Sequence, residues 1–240
     1  MAAVERYGTG VLSLDAQAPA WCCGVALWLV GLHQAPSRAA MAVLSDEERQ
    51  RAARFHHEAD RRRYLAAHVA LRERLGQYLG RAPRSLAFHT GSHGKPLLAH
   101  GVHPFNLSHS GDLALIGVSD DCEVGVDIEI WREVGDAAQL AQSVFGPQER
   151  AALSGLVGDE RNLAFLRGWT RKEACLKALG TGLSLSPQGF EAGLGPDACE
   201  LVLPAATGQE TVWVQSIEGP AGLEPRPPWV GAVAKRRRPA

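Results

Sequence analysis

Two short stretches of this 240-residue chain carry acids and bases at spacings that could do chemistry. In "VGVDIE" (124–129) a run of β-branched apolar residues carries Asp127 and Glu129 at alternate positions. Side chains two apart on a strand share a face, so the two carboxylates are close neighbours. Like charges at that range repel unless a cation, a proton or a basic side chain lies between them. In "FLRGWTRKEACLKALG" (165–180) Glu173 precedes Lys177 by four residues, one turn of a helix. Glu173 falls on the flank of an apolar arc formed by Phe165, Trp169 and Leu176, and a carboxylate at such an edge is partly desolvated and seeks a partner. Lys172 borders the same arc, and the spacing alone equally describes a surface ion pair.

A third stretch, "FNLSHSGD" (105–112), places Ser108, His109, Ser110 and Gly111 in what reads as a small donor-rich turn, suited to a phosphate oxygen or serving only to reverse the chain. Asp127, Glu129 and Glu173 together would suit a hard divalent ion such as Mg²⁺, which takes oxygen ligands and bridges carboxylates to phosphates. A strand end reaching solvent would also explain "DIE". Five histidines lie between 89 and 109, yet no CxxC pair accompanies them, which argues against zinc. Arginines 49, 51, 54, 61, 62 and 63 concentrate in one block with interleaved acids, the pattern of a solvated helical face, and one or two could bind a phosphorylated ligand.

The elements that must position these groups are read as follows. "WCCGVALWLVGL" (21–32) is too short to span a bilayer and reads as a buried strand. Ser45 with Glu48 three residues on is a capping box that starts a helix, and a second helix runs from about Asp60. Strands are expected at "SLAFHT", "HPFNLSHS", "LALIGVS" and "VGVDIEI". The helical block then returns about one hundred residues on: "FGPQERAAL" echoes "LSDEERQRA", and Arg72-Glu73 stands against Lys172-Glu173. Strands are expected again at "FEAGL", "ELVLP", "TVWVQSI" and "WVGAVAK". Two similar halves suggest a duplicated α+β unit, with chance similarity of two amphipathic helices as the competing reading. The expected division is an N-terminal extension (1–20), an N-terminal half (21–123), a C-terminal half (124–234) and a basic tail (235–240).

With 45% hydrophobic and 21% charged residues, the chain has material for a sizeable core. A formal net charge of -1 gives no global case for nucleic acid or a membrane surface. Five cysteines without a CxxC pair suggest a reducing, cytoplasmic setting.

Taken in order, "GKP", "FNLSHSG", "VGVDIE" and "WTRKEACLKALGTGL" resemble the 4′-phosphopantetheinyl transferases of the surfactin-synthetase type. The family pattern joins a GxD(I/V)E strand to a (W/F)(S/T/C)xKEAxxKAxGxGL helix, and the resemblance covers roughly residues 20 to 235. It implies a monomer of two pseudo-symmetric α+β halves with coenzyme A (CoA) in the cleft between them. It implies transfer of the phosphopantetheine arm to a serine of an apo acyl, peptidyl or aryl carrier protein, leaving adenosine 3′,5′-bisphosphate. Carried over by position, Asp127, Glu129 and Glu173 would bind Mg²⁺ or Mn²⁺, and Glu173 would be the general base. Lys177, His109 and Ser108 would contact phosphates, Arg63 and Lys95 the nucleotide, and Arg51 the 3′-phosphate, although Glu48 stands where the family is often basic. A carrier helix would meet Ala138, Leu140, Ala141, Val144 and Phe145 unless these belong to the core. Other readings of the same residues are a Mg²⁺-dependent nucleotide hydrolase and a CoA-binding module without turnover.

Overall fold

The computed structural model describes residues 11–14, 24–91, 94–99, 103–180, 185–205, 208–219 and 228–237. The first half contains β1 (Val11–Ser13), β2 (Val25–Gly31), α1 (Asp46–Ala53), α2 (Glu58–Leu79), β3 (Phe88–Thr90), β4 (Pro96–Leu98), β5 (Phe105–Ser110) and β6 (Leu113–Ser119). The second contains β7 (Cys122–Ile130), α3 (Ala137–Val144), α4 (Pro147–Ser154), α5 (Gly158–Leu179), β8 (Cys199–Ala205), β9 (Gly208–Glu218) and β10 (Trp229–Arg237). Two antiparallel four-stranded sheets, in the orders β1-β2-β6-β5 and β7-β10-β9-β8, are accompanied by the small β3-β4 hairpin. None of the described helices is long and apolar enough to cross a membrane.

Strand alternation sets the layering. Leu27, Leu29 and Leu115 from one sheet meet Val124, Val126, Ile128 and Val233 from the other, so the sheets bury one face each against the other. The opposite face of the first sheet, with Val30, Ala114, Ile116 and Val118, packs on Ala66, Ala67, Ala70 and Leu71 of α2. The second sheet offers Val212, Val214, Ala232 and Ala234 to Ala174, Cys175 and Ala178 of α5. The result is helix, sheet, sheet, helix.

The two halves repeat in side-chain detail. Helices α2 and α5 are each 22 residues long and end on Gly80 and Gly180, whose φ of 62° and 69° lie in the left-handed region that glycine supplies without strain. Glu48, buried in α1, meets Arg72 Nε at 2.7 Å, and Glu149 in α4 meets Lys172 Nζ at 2.8 Å. Arg72 also donates to the carbonyls of Pro83 and Leu86, as Lys172 does to those of Pro187 and Phe190. Each half thus ties its short helix, its long helix and the following loop through one buried cation. Lys172, expected at the charged flank of the α5 arc, is instead fully enclosed. Glu48 is consumed in the same way.

At the start of α1, Ser45 Oγ accepts from the Glu48 amide at 3.2 Å and the Glu48 carboxylate accepts from the Ser45 amide at 2.8 Å. Ser45→Ala removes half of this box. It should cost about 1 kcal/mol and lower Tm by about 2–4 °C in a thermal melt; an unchanged Tm would show the cap contributes nothing.

Several expected elements differ. "FEAGL" is not a strand, because side chains take its backbone groups. Lys172 binds the Phe190 carbonyl, Arg171 the Ala192 carbonyl, and Glu149 the amides of Ala192 and Gly193. Lys235, Arg236 and Arg237 are not a loose tail; they continue β10 in register with Val124, Glu123 and Cys122. Val11–Ser13 pair with β2, so the first sheet takes in residues placed in the N-terminal extension. Ser108, His109 and Ser110 lie on the edge strand β5, with the turn beginning only at Gly111, where φ is +52°. Ala141 and Val144 of α3, and Phe145 just after it, belong to the core, whereas Leu140 and Ala138 are exposed.

Candidate active site

The even residues of β7, Val124, Val126 and Ile128, enter the core between the sheets. The odd residues, Gly125, Asp127 and Glu129, face α5. Gly125 is what lets the helix approach: a Cβ there would lie 2.1 Å from the Ala174 carbonyl oxygen and 2.5 Å from the Ala178 nitrogen. With strand and helix backbones in contact at this point, the same turns of α5 bring Glu173 and Lys177 beside the two acids.

Lys177 Nζ lies 2.6 Å from Asp127 Oδ1, 3.1 Å from Ser108 Oγ and 3.2 Å from the Val126 carbonyl. Ser108 donates to Asp127 Oδ1 at 2.7 Å, and Ser110 donates to Glu129 Oε2 at 2.7 Å. Asp127 Oδ2 is buried without a hydrogen-bond partner. A buried carboxylate oxygen left unpaired is costly, so this atom points to a ligand. Burial pushes the Glu173 carboxyl above its ordinary value; the Lys177 charge opposes the rise, and the Asp127 and Glu129 charges add to it. His109, on β5, is held below its ordinary value by desolvation first and then by the charges of Lys177, His68 and Arg63. Its imidazole is therefore neutral at neutral pH.

Strand β5 joins this group by an unusual route. It pairs with β6 in the ordinary way, and it meets β7 through the side chains of one face. Asn106 Oδ1 accepts from the Val126 amide at 2.8 Å, and Ser110 Oγ accepts from the Ile130 amide at 3.2 Å. Alternation puts Asn106, Ser108 and Ser110 on this seam, and Phe105 and Leu107 against α2. His109 shares the α2 side.

The remaining expected residues are placed as follows. Arg63 Nε donates to Asp112 Oδ1 at 2.9 Å, Arg63 Nη1 to Asp60 at 3.1 Å, and Arg62 Nη2 to Asp112 Oδ1 at 2.7 Å. Arg51 stands over the Tyr64 ring, 5.7 Å from its centroid, and with Gln50, Arg54 and Phe55 lines an open pocket. Lys95, expected to meet a nucleotide, turns its ammonium inward to Glu123 Oε2 and to the carbonyls of Val124 and Lys177. Among the described residues no three His, Cys, Asp or Glu side chains are already gathered around one point. Residues 181–184, which carry most of the "GTGL" end of the helix motif, lie outside the described residues. Sequence reasoning missed Asn106, the role of Ser110, and Gly125; the period-2 alternation of Asn, Ser and Ser in "FNLSHS" was the available signal.

Comparison with known proteins gives the same direction. Residues 123–218 match the profile of the 4′-phosphopantetheinyl transferase superfamily, and residues 33–120 match that of a 4′-phosphopantetheinyl transferase N-terminal domain. The chain is 40% identical over 166 residues to the 4′-phosphopantetheinyl transferase HetI of Nostoc, an alignment covering 67% of this chain and 70% of that protein. It is 29% identical over 180 residues to a 4′-phosphopantetheinyl transferase of Bacillus subtilis, covering 74% and 78%. Over 168 residues it is 30% identical to the 4′-phosphopantetheinyl transferase Sfp of the same species, covering 69% and 73%.

Proposed function

The chain belongs to the 4′-phosphopantetheinyl transferase superfamily, and on that premise we propose that it moves the phosphopantetheine arm of CoA onto a serine hydroxyl of an apo carrier protein. The observation that carries the reading is the meeting of Glu173 and Lys177 with Asp127 and Glu129 across the point where Gly125 admits the helix. A site for binding alone has no use for a desolvated carboxylate of raised proton affinity beside a lysine.

The donor set fits a hard divalent cation: three carboxylates, one with an orphaned buried oxygen. Asp127, Glu129 and Glu173 would hold Mg²⁺, or Mn²⁺, which suits the same oxygen ligands. When bound, such an ion neutralises charge developing on the pyrophosphate.

The chain's own residues supply the rest. Glu173 takes the proton from the serine hydroxyl, directly or through a water. The serine oxygen forms a bond to the phosphorus that bears the pantetheine arm, and the bond from that phosphorus to the bridging oxygen breaks. Adenosine 3′,5′-bisphosphate leaves with the electron pair. Lys177 places a fixed positive charge where negative charge accumulates. Ser108 and the neutral His109 give the phosphates hydrogen-bonding partners, while Arg63 and Arg51 lie on the side suited to the nucleotide and its 3′-phosphate. The exposed Leu140 and Ala138 offer the carrier an apolar contact at the second half. Because one chain supplies both halves, it would act as a monomer, in the cytoplasm where CoA and apo carriers meet.

The test is to incubate the protein with CoA, Mg²⁺ and apo carriers of several types and weigh the carriers. A gain of one phosphopantetheine is expected. No gain on any carrier overturns the reading; release of nucleotide without an acceptor would indicate a hydrolase, and CoA binding without turnover a binding module.

A further inference from the structure

Lys177 is held at both ends, and its second holder comes from the other half of the chain. Its Nζ is fixed by Asp127, Ser108 and the Val126 carbonyl. Its own carbonyl oxygen lies in the last turn of α5, where helix carbonyls have no partner within the helix. Lys95 Nζ donates to that carbonyl at 3.0 Å, to the Val124 carbonyl at 3.0 Å and to Glu123 Oε2 at 3.3 Å. These acceptors hold the ammonium inward, and the Lys95 side chain is 12% exposed. A positive charge is also favoured at the negative end of the helix dipole.

The acceptors stand in order along β7. Lys95 holds the Val124 carbonyl, Gly125 touches the α5 backbone, and Lys177 holds the Val126 carbonyl. Lys95 comes from the turn between β3 and β4, so this single side chain ties a first-half hairpin to both second-half elements that carry the acids and the base.

We propose that Lys95 is a positioning residue, which fixes the last turn of α5 against β7 and so sets where the Lys177 ammonium stands. The role rests on the transfer reading above. Loss of Lys95 frees the Lys177 carbonyl and loosens the turn, and small misplacement of a catalytic group costs rate more than ground-state binding.

The experiment compares Lys95→Met and Lys95→Arg with the parent protein by steady-state transfer kinetics and by amide hydrogen exchange at residues 176–180. For Lys95→Met, kcat should fall about ten- to a hundredfold with the KM for CoA within about twofold, and exchange at the last turn should quicken. Lys95→Arg keeps the charge in a different shape and should recover part of kcat; should Lys95→Met not fold, Lys95→Arg carries the same test with a smaller drop. A raised KM for CoA with kcat retained would overturn the proposal in favour of a ligand contact, and unchanged kcat would overturn it outright. If the parent itself transfers nothing, it is the functional reading that has failed. The exchange arm then decides alone: faster exchange in the variant supports the staple, and unchanged exchange overturns it.

Discussion

Exchanging Glu173 for Gln should reduce kcat for transfer by about 10²–10⁴-fold and leave CoA affinity close to that of the parent. The amide keeps the size and one acceptor oxygen of the carboxylate but cannot take a proton, so the chemical step loses its base while the binding surface remains. Product mass against time and CoA titration calorimetry read the two quantities separately. Retained turnover would mean that another group accepts the serine proton.

The same exchange has a stability consequence of opposite sign. The folded pKa of Glu173 is raised by burial and by the neighbouring acids, so the folded state binds this proton more tightly than the unfolded chain does. A raised carboxyl contributes most at low pH, and that contribution is lost as pH climbs from the ordinary carboxylate range through the raised value. Without added metal, Glu173→Gln should therefore melt higher than the parent near neutral pH, and the gap should shrink toward pH 4. A gap independent of pH would show that the carboxylate is not strained in the free protein. Activity here is held at some expense of stability, as expected where like charges converge on a site.

Gly125→Ala should lower both stability and activity. The added methyl would sit 2.1 Å from the Ala174 oxygen, 2.5 Å from the Ala178 nitrogen and 3.0 Å from the Lys177 carbonyl carbon. All three are backbone atoms, which cannot rotate out of the way, so either helix or strand must move. Overpacking of this kind costs about 1–3 kcal/mol or more. Because the displaced helix carries Glu173 and Lys177, kcat should fall about a hundredfold. Gly135→Ala is the control, since nothing lies within 4 Å of a Cβ there. Equal melting temperatures for the two variants would remove Gly125 from the account of why strand and helix meet.

What could be read from sequence divides by the range of the interaction. The capping box at Ser45 and the alternation of β7 are local, and each was legible from a few residues. The repeat of the two halves was legible as an echo, though not its meaning: Glu48 with Arg72 and Glu149 with Lys172 form equivalent enclosed pairs only once the short helices have folded back. "FEAGL" was misread because its apolar residues pack as a strand's would, while its backbone partners are side chains some twenty to forty residues away. Lys95 gave no sequence signal of its inward course, since its acceptors include two main-chain carbonyls and a main chain has no residue type to read.

The seam between β5 and β7 has a bearing on solubility. Each strand lies at the border of its own sheet, and such a border exposes a row of unmatched amides and carbonyls to which a foreign strand can add. Here Asn106 and Ser110 of β5 accept from amides in that row on β7 in place of main-chain ladder bonds. The polar side chains that orient the acids thereby also close the sticky margin of β7, so a variant stripped of Asn106 or Ser110 is a candidate for self-association as well as for slow catalysis.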